Sequence, residues 1–171
     1  MTVELLTPDR AEDVIPGLAE LLADAVAGGA GVGFLAGLTV DDAAAWWRRA
    51  LADPAALTWV ALDADGAGVD GVVRLHPAPQ QNGPHRAEVS KLLVHRRARG
   101  RGVAAALLGA LEQEALARGR WLLVLDTTTG STADRLYRRL GWQPTGEVPD
   151  YALDVAGAPS PTTVFWKDLR P

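Results

Sequence analysis

The segment that most constrains the fold is a strand, a turn rich in arginine and glycine, and a long helix in direct succession. Ala87–Val94 is mostly apolar and predicts the strand. Gly102–Arg118 repeats its apolar residues on one helical face, and Gly119 ends the helix. The unbroken apolar run Trp121–Leu125 predicts a second strand, buried on both faces in the middle of a sheet. Two strands joined by a helix in this way predict a crossover within one sheet.

The remaining periodic segments predict an α/β fold with a mixed sheet of about seven strands and about four flanking helices. Further strands are predicted at Thr2–Leu6, Leu57–Leu62, Val69–Leu75, Thr145–Leu153 and Thr162–Lys167. Further helices are predicted from Ala11 to Val26, from Thr39 to Ala52 and from Ser131 to Leu140, with Thr39 and Ser131 as N-caps. Gly28–Gly37, between the first two helices, combines glycines with apolar residues, which predicts a lid or a packed turn.

Length and composition restrict the class of protein. The 171 residues fit a single domain that spans residues 1–171. The lack of cysteine excludes a disulfide scaffold, a thiolate zinc site and a cysteine nucleophile, and it fits the reducing cytoplasm. The net charge of −4 argues against general nucleic-acid binding, and no apolar run approaches the length of a membrane span, about 18 residues. We therefore expect a cytoplasmic monomer or homodimer without a nucleic-acid or membrane partner.

The turn before the long helix concentrates positive charge in an acidic chain. Within residues 96–101 it carries four arginines: Arg96, Arg97, Arg99 and Arg101. Such a run is either a solvated surface or a site for an anionic ligand. The first N–H groups of a helix have no partner within the helix, and Gly100 and Gly102 allow a ligand to approach the backbone. Together with the helix dipole these features predict a pyrophosphate site, to which the arginines would add full charge.

Two classes of pyrophosphate ligand fit the glycine spacing. Gly100-x-Gly102-x-x-Ala105 matches the dinucleotide fingerprint, and Asp126 lies about 20 residues further on. That fingerprint follows the first strand of a nucleotide-binding half, whereas here it follows the fourth predicted strand and an arginine cluster. The remaining residues, about 65, are also too few for the rest of a doubly wound sheet. The sequence therefore favours the other class, the acyl-coenzyme A ligands.

Two motifs resemble those of the GNAT superfamily of N-acetyltransferases. Arg99-x-x-Gly102-x-Ala104 fits its pattern Q/R-x-x-G-x-G/A, and Leu136–Trp142 resembles its L-Y-x-x-x-G-F segment. The resemblance covers nearly the whole chain, because the predicted order of strands and helices is similar as well. Within the superfamily the sequence resembles the tabtoxin-resistance acetyltransferases at Gly28–Phe34, Arg86–Val94, Leu125–Thr127 and Gly146–Tyr151.

The resemblance implies where acetyl-CoA, the acetyl donor, binds. Its pyrophosphate would lie on Arg99, Gly100, Arg101, Gly102, Val103 and Ala104. Its pantetheine arm would pair with the backbone of Leu92, Leu93 and Val94, and an N–H near Leu93 would polarise the thioester carbonyl. Many members carry an asparagine where this chain has Gly130, and Ser131 either replaces part of its pantetheine contact or only caps the helix. No metal is expected, because His76, His85 and His95 lack metal-ligand spacing.

The same resemblance implies three catalytic residues. Tyr137 would protonate the departing thiolate. Glu88 and Asp126 would face a gap between two splayed strands, where each would raise the pKa of the other. We expect Glu88 to take a proton from the acceptor amine and Asp126 to attract its ammonium form, and the sequence leaves the exchanged assignment open. Each carboxylate also has the alternative of a plain ion pair, for Glu88 with Arg86 or Lys91.

The implied function is direct transfer of an acetyl group from acetyl-CoA to a primary amine of a small amino-acid-like or antibiotic-like molecule. Two alternatives remain open. An enzyme that acetylates a protein N-terminus or lysine would need an open groove, against which the apolar Gly28–Gly37 loop argues. A non-catalytic acyl-CoA sensor would keep the fold without the chemistry, against which the presence of both Glu88 and Tyr137 argues.

Overall fold

The computed structural model describes residues 1–66 and 68–171, and within them seven strands form one sheet. The strands are β1 (Thr2–Leu5), β2 (Leu57–Leu62), β3 (Val69–Pro77), β4 (Arg86–Val94), β5 (Leu122–Thr128), β6 (Gln143–Leu153) and β7 (Pro159–Asp168). The helices are α1 (Ala11–Ala27), α2 (Val40–Leu51), α3 (Val103–Ala117) and α4 (Thr132–Arg139), with short 3₁₀ turns at Pro8–Arg10 and Arg96–Ala98. The predicted α/β class and the predicted order of elements are confirmed.

The sheet is mixed, as the sequence predicts. Its strand order is β1-β2-β3-β4-β5-β7-β6. The neighbours β4 and β5 are parallel, and the other neighbouring pairs are antiparallel. Helix α3 supplies the crossover from β4 to β5, because parallel neighbours need a long connection rather than a tight turn.

Each face of the sheet carries its own apolar core. Helices α3 and α4 cover one face, where Leu107, Leu111 and Tyr137 pack with Leu123 and Phe165. Helices α1 and α2 cover the other face, where Leu18, Leu22 and Trp47 pack with Val60 and Val72. Any side chain on a central strand therefore belongs either to the α3–α4 face or to the α1–α2 face.

The helices begin largely where the sequence predicts. Thr39 Oγ1 accepts a hydrogen bond of 3.1 Å from the N–H of Asp42, and Ser131 Oγ accepts one of 3.1 Å from the N–H of Asp134. Helix α1 contains Pro16, which stays exposed inside the helix and does not mark its start. Of the helices in the described residues, none has the length and the apolar character to span a bilayer.

Strand β5 corrects one expectation. Leu123 and Leu125 are buried, whereas Leu122 and Val124 are only half-buried. The prediction that this strand is buried on both faces is therefore wrong. One face of β5 packs in the α3–α4 core, and the other face borders a cleft because β4 does not stay beside it.

Candidate active site

A gap opens in the middle of the sheet because β4 and β5 pair only at their beginnings. The parallel ladder joins Arg86 to Leu122, Ala87 to Leu123 and Glu88 to Val124, and it ends there. Beyond this point β4 stays paired with β3 as far as Val94, and β5 stays paired with β7 as far as Thr128. The two strands therefore separate, and the backbone edges that they turn toward each other are available to hydrogen-bond a ligand.

A bulge in β4 decides which side chains lie on each face beside the gap. Between Val72 and Arg74 the register shifts, and Lys91 adopts a left-handed conformation with φ of 52°. Val89, before the bulge, packs in the α3–α4 core, whereas Leu93, after it, packs in the α1–α2 core. In a regular strand these two side chains would share a face, because side chains alternate with a period of two. The extra residue of the bulge thus exchanges the two faces of β4.

Glu88 and Asp126 lie on the α1–α2 face of the two strands that border the gap. Glu88 is exposed at the last position of the ladder, and its neighbour Val89 points into the opposite core. Asp126 follows the buried Leu125 and lies two residues beyond Val124, the partner of Glu88. The structure therefore brings the two predicted carboxylates to one side of the gap.

The electrostatics of the site act on Asp126. Partial burial raises the pKa of Asp126, and the ammonium of Lys91 acts against this rise. The charge of Glu88 is not among the causes, and the mutual elevation of the two pKa values stays a prediction. Among the salt bridges of the described residues none involves Glu88. The alternative of a plain ion pair for Glu88 therefore has no support in the structure.

Tyr137 lies on the opposite face, in the core beneath α4. Its ring packs against Trp142 and Phe165, with centroid distances of 5.6 and 5.9 Å. Burial raises the pKa of the Tyr137 hydroxyl well above its usual value, and the nearby charge of Asp126 adds to the rise. The hydroxyl therefore keeps its proton at neutral pH, as a proton donor must.

The turn before α3 has the open backbone that a phosphate group needs. Gly100 and Gly102 have φ of 77° and 78°, a left-handed conformation that costs other residues strain. A Cβ added at either glycine would meet nothing within 4 Å, so the turn faces open space. Gly102 is the N-cap of α3 and provides no side-chain cap for the first N–H groups of Val103 and Ala104. These N–H groups and the helix dipole suit a pyrophosphate.

The four arginines near this turn divide into two pairs. Arg96 Nε lies 2.7 Å from Asp24 Oδ1, and Arg97 Nε lies 3.0 Å from Asp70 Oδ1, so these two anchor the 3₁₀ turn to α1 and β3. Arg99 and Arg101 are exposed beside the two glycines. The prediction that all four arginines add their charge to a phosphate site is therefore wrong for Arg96 and Arg97, whose charges are balanced by aspartates.

Ser131 caps α4, which is one of the two roles that the sequence left open for it. Its Oγ accepts the hydrogen bond from the N–H of Asp134, and Asp134 Oδ2 accepts one of 2.9 Å from the N–H of Gly130. The buried Asp134 also pairs with Arg138 Nε at 2.5 Å. The hydrogen bonds from Arg138 and Gly130 hold the pKa of Asp134 below its usual value, although burial opposes them.

The sequence reasoning missed Lys91 as a residue of the site. Its Nζ donates a hydrogen bond of 2.8 Å to the carbonyl of Val32. The same ammonium lies 5.7 Å from the ring centroid of Phe34 and 5.2 Å from that of Trp46. Burial lowers the pKa of Lys91, and the two site carboxylates act against this. The one available signal was its rarity, because the chain has only one other lysine, Lys167.

The three histidines each have a local partner. His76 Nε2 lies 2.9 Å from Ser90 Oγ, His85 stacks on Trp121, and His95 caps the 3₁₀ turn by accepting from the N–H of Arg97. In the part of the chain that the structure describes, no three His, Cys, Asp or Glu side chains are grouped as ligands of one metal ion.

A family of known proteins matches most of this chain. The sequence model of the acetyltransferase (GNAT) family matches residues 20–142, a range that contains β4, the glycine turn, β5 and Tyr137.

The fold is also similar to solved acetyltransferases. A GCN5-related N-acetyltransferase from Kribbella flavida is 25% identical with a TM-score of 0.76, and the match covers 98% of this chain and 96% of that one. A putative acetyltransferase from Salmonella typhimurium, solved with its cofactor acetyl-CoA, is 20% identical with a TM-score of 0.76, covering 100% and 95%. A ribosomal-protein-alanine N-acetyltransferase from Brucella melitensis is 23% identical with a TM-score of 0.77, covering 98% and 99%.

Proposed function

Because this chain belongs to the acetyltransferase (GNAT) family, we propose that it transfers an acetyl group from acetyl-CoA directly to a primary amine of a small amino-acid-like or antibiotic-like molecule. The observation that carries the proposal is the gap between β4 and β5. Two carboxylates lie on one face beside it, and a buried tyrosine lies on the other. The resemblance of four segments to the tabtoxin-resistance acetyltransferases supports a small acceptor.

The residues that bind the acetyl donor follow one another along the chain, from the end of β4 to the start of α3. The unpaired edge of Leu92, Leu93 and Val94 pairs with the pantetheine arm. The turn and helix start of Arg99–Ala104 hold the pyrophosphate through backbone N–H groups, and Arg99 and Arg101 contribute charge. When bound, acetyl-CoA supplies the acetyl group as a thioester.

The residues on the α1–α2 face prepare the acceptor. Glu88 attracts the ammonium form of the amine, and Asp126 takes one of its protons. The raised pKa of Asp126 makes it a stronger base than an ordinary aspartate, because it brings the pKa nearer to the working pH. We therefore assign the base to Asp126 and the attraction of the amine to Glu88, the reverse of the expectation from the sequence.

The remaining steps use the backbone of β4 and the tyrosine. The amine nitrogen forms a bond with the carbonyl carbon while the N–H near Leu93 donates to the carbonyl oxygen, where negative charge develops. As the carbon–sulfur bond breaks, Tyr137 donates its proton to the sulfur. Tyr137 regains a proton from the nitrogen, which becomes an amide, and Asp126 releases its proton to solvent. One acetyl group is transferred, and one free thiol and one proton are formed.

The test is thiol release from acetyl-CoA in the presence of a panel of amines. The panel contains an amino acid with a β-lactam ring that resembles tabtoxinine, common aminoglycosides, a peptide with a free N-terminal alanine and a peptide with an internal lysine. Release that depends on a small amine supports the proposal. Release that depends only on the peptides replaces it with a protein acetyltransferase. Binding of acetyl-CoA without release for any amine leaves the non-catalytic sensor.

A further inference from the structure

The loop between α1 and α2, residues 28–37, crosses the mouth of the gap. On the β5 side Gly31 lies so close to Thr128 that an added Cβ would come within 2.8 Å of its Oγ1. On the β4 side the carbonyl of Val32 accepts the hydrogen bond of 2.8 Å from Lys91. Because Thr128 ends β5 and Lys91 forms the bulge of β4, these two contacts stretch the loop from one wall of the gap to the other.

The far end of the loop is attached to other elements. The N–H of Ala36 donates a hydrogen bond of 2.8 Å to the carbonyl of Val155, in the connection between β6 and β7. The ring of Phe34 packs edge-on against Trp46 of α2 at 5.6 Å. Among the hydrogen bonds of the described residues, the bond from Lys91 is the one side-chain bond that reaches this loop.

The contacts of Lys91 are those that favour a positive charge. Its ammonium faces one carbonyl oxygen and the rings of Phe34 and Trp46, which attract a cation through their π-electrons. The bulge places Lys91 where its side chain reaches the loop, in a left-handed conformation that few non-glycine residues adopt. A neutral side chain of similar length would lose both attractions, whereas an arginine would keep a donor and a charge.

We infer that Lys91 is a specificity-determining residue. It holds the loop over the acceptor side of the gap and thereby restricts the reaction to small amines. This inference rests on the proposed function. The loop packs on the α1–α2 face, the face that carries Glu88 and Asp126. A small amine can enter beneath the closed loop, whereas an extended polypeptide would have to displace it.

The first test compares Lys91→Met with Lys91→Arg by limited proteolysis. Phe34 and the exposed Leu35 are chymotrypsin sites within the loop. We expect cleavage there to be about tenfold faster in Lys91→Met, the factor that corresponds to 1.4 kcal/mol, and close to the parent rate in Lys91→Arg. Lys167→Met is the matched control, because Lys167 pairs with Glu112 and takes no part in the loop. Equal cleavage rates of Lys91→Met and the parent would show that Lys91 does not hold the loop in place.

The second test measures specificity with the same variants. For a small amine that the parent accepts, Lys91→Met should raise KM about tenfold and leave acetyl-CoA affinity nearly unchanged. Because the Lys91 ammonium also lowers the pKa of Asp126, kcat is compared at a pH above the acidic limb, where Asp126 is ionised in both proteins. Lys91→Met should also acetylate the lysine peptide. Lys91→Arg should show neither effect. An unchanged KM together with no peptide acetylation would overturn the specificity role. If the parent acetylates no amine, the proposed function fails, and the specificity role of Lys91 fails with it. The cleavage rates would still show whether Lys91 holds the loop in place.

Discussion

Glu88 and Asp126 lie on the same face of the sheet, one on each of the two strands that separate directly after Glu88. Both side chains are exposed, and partial desolvation raises the pKa of Asp126. The raised pKa gives Asp126 the task of the base in the proposed reaction, and the two tasks are separable by experiment.

The pH–rate profiles of Asp126→Asn and Glu88→Gln test this division. If Asp126 is the base, Asp126→Asn should lower kcat/KM by about 10² to 10⁴ at neutral pH. The loss should shrink at high pH, where the amine is already deprotonated. The acidic limb of the parent profile should lie above the usual aspartate pKa, because the folded-state pKa is raised. Glu88→Gln should mainly raise the acceptor KM. If only Glu88→Gln removes the acidic limb, the two roles are exchanged.

Gly102→Asp tests the pyrophosphate site. The substitution places a carboxylate and a Cβ at the uncapped start of α3, where the phosphates would approach. Acetyl-CoA affinity should fall by more than tenfold, about 1.4 kcal/mol. Gly119→Asp is the matched control, because Gly119 has a similar φ of 74° and also faces open space, but at the other end of α3. Calorimetry that finds equal affinity in both folded variants would refute the assignment.

Tyr137→Phe tests the proton donor. Phenylalanine keeps the packing against Trp142 and Phe165 and removes the hydroxyl. We expect kcat to fall by about 10² to 10⁴ while acetyl-CoA affinity is maintained. Tyr151→Phe, at the exposed second tyrosine of the chain, should leave kcat unchanged. A kcat for Tyr137→Phe within about twofold of the parent would mean that solvent protonates the thiolate.

Asp134→Asn tests how the start of α4 is held. Asp134 accepts hydrogen bonds from Gly130 and Arg138, and its folded-state pKa lies below the unfolded value. The ionised carboxylate therefore stabilises the fold above about pH 4, and this contribution is lost as the pH falls through the folded-state pKa. We expect Asp134→Asn to lower the free energy of unfolding at pH 7 by about 1 to 2 kcal/mol.

Denaturant unfolding at several pH values measures this effect. The difference between Asp134→Asn and the parent should narrow below about pH 4. Asp168→Asn, which removes an exposed carboxylate paired with Arg170, is the control and should change little. A difference for Asp134→Asn that stays constant with pH would show that the charge of Asp134 does not contribute.

Much of the fold could be predicted because its signals are local. The apolar stripe of α3, the capping residues Thr39 and Ser131 and the glycines of the turn each act through neighbours within a few residues along the chain. Their physical effects, side-chain periodicity and satisfaction of the first N–H groups, do not depend on what packs against them. The motif around Tyr137 and the two carboxylates was likewise readable, although their chemistry came from resemblance and not from local physics.

The sequence by itself thus determined the order of the elements, the mixed sheet and the identity of the open glycine turn. Only the tertiary structure decided where β4 is bulged. The bulge depends on how β4 pairs with β3, and the pattern of apolar residues along β4 does not reveal that pairing. That bulge turns Lys91 toward Val32, 59 residues earlier in the chain, and it lies beyond Glu88, where the pairing of β4 with β5 ends. The tertiary structure also decided which charges form ion pairs. Asp24 pairs with Arg96 and Asp70 pairs with Arg97, although each partner is distant in sequence, so neither composition nor spacing could predict these pairs.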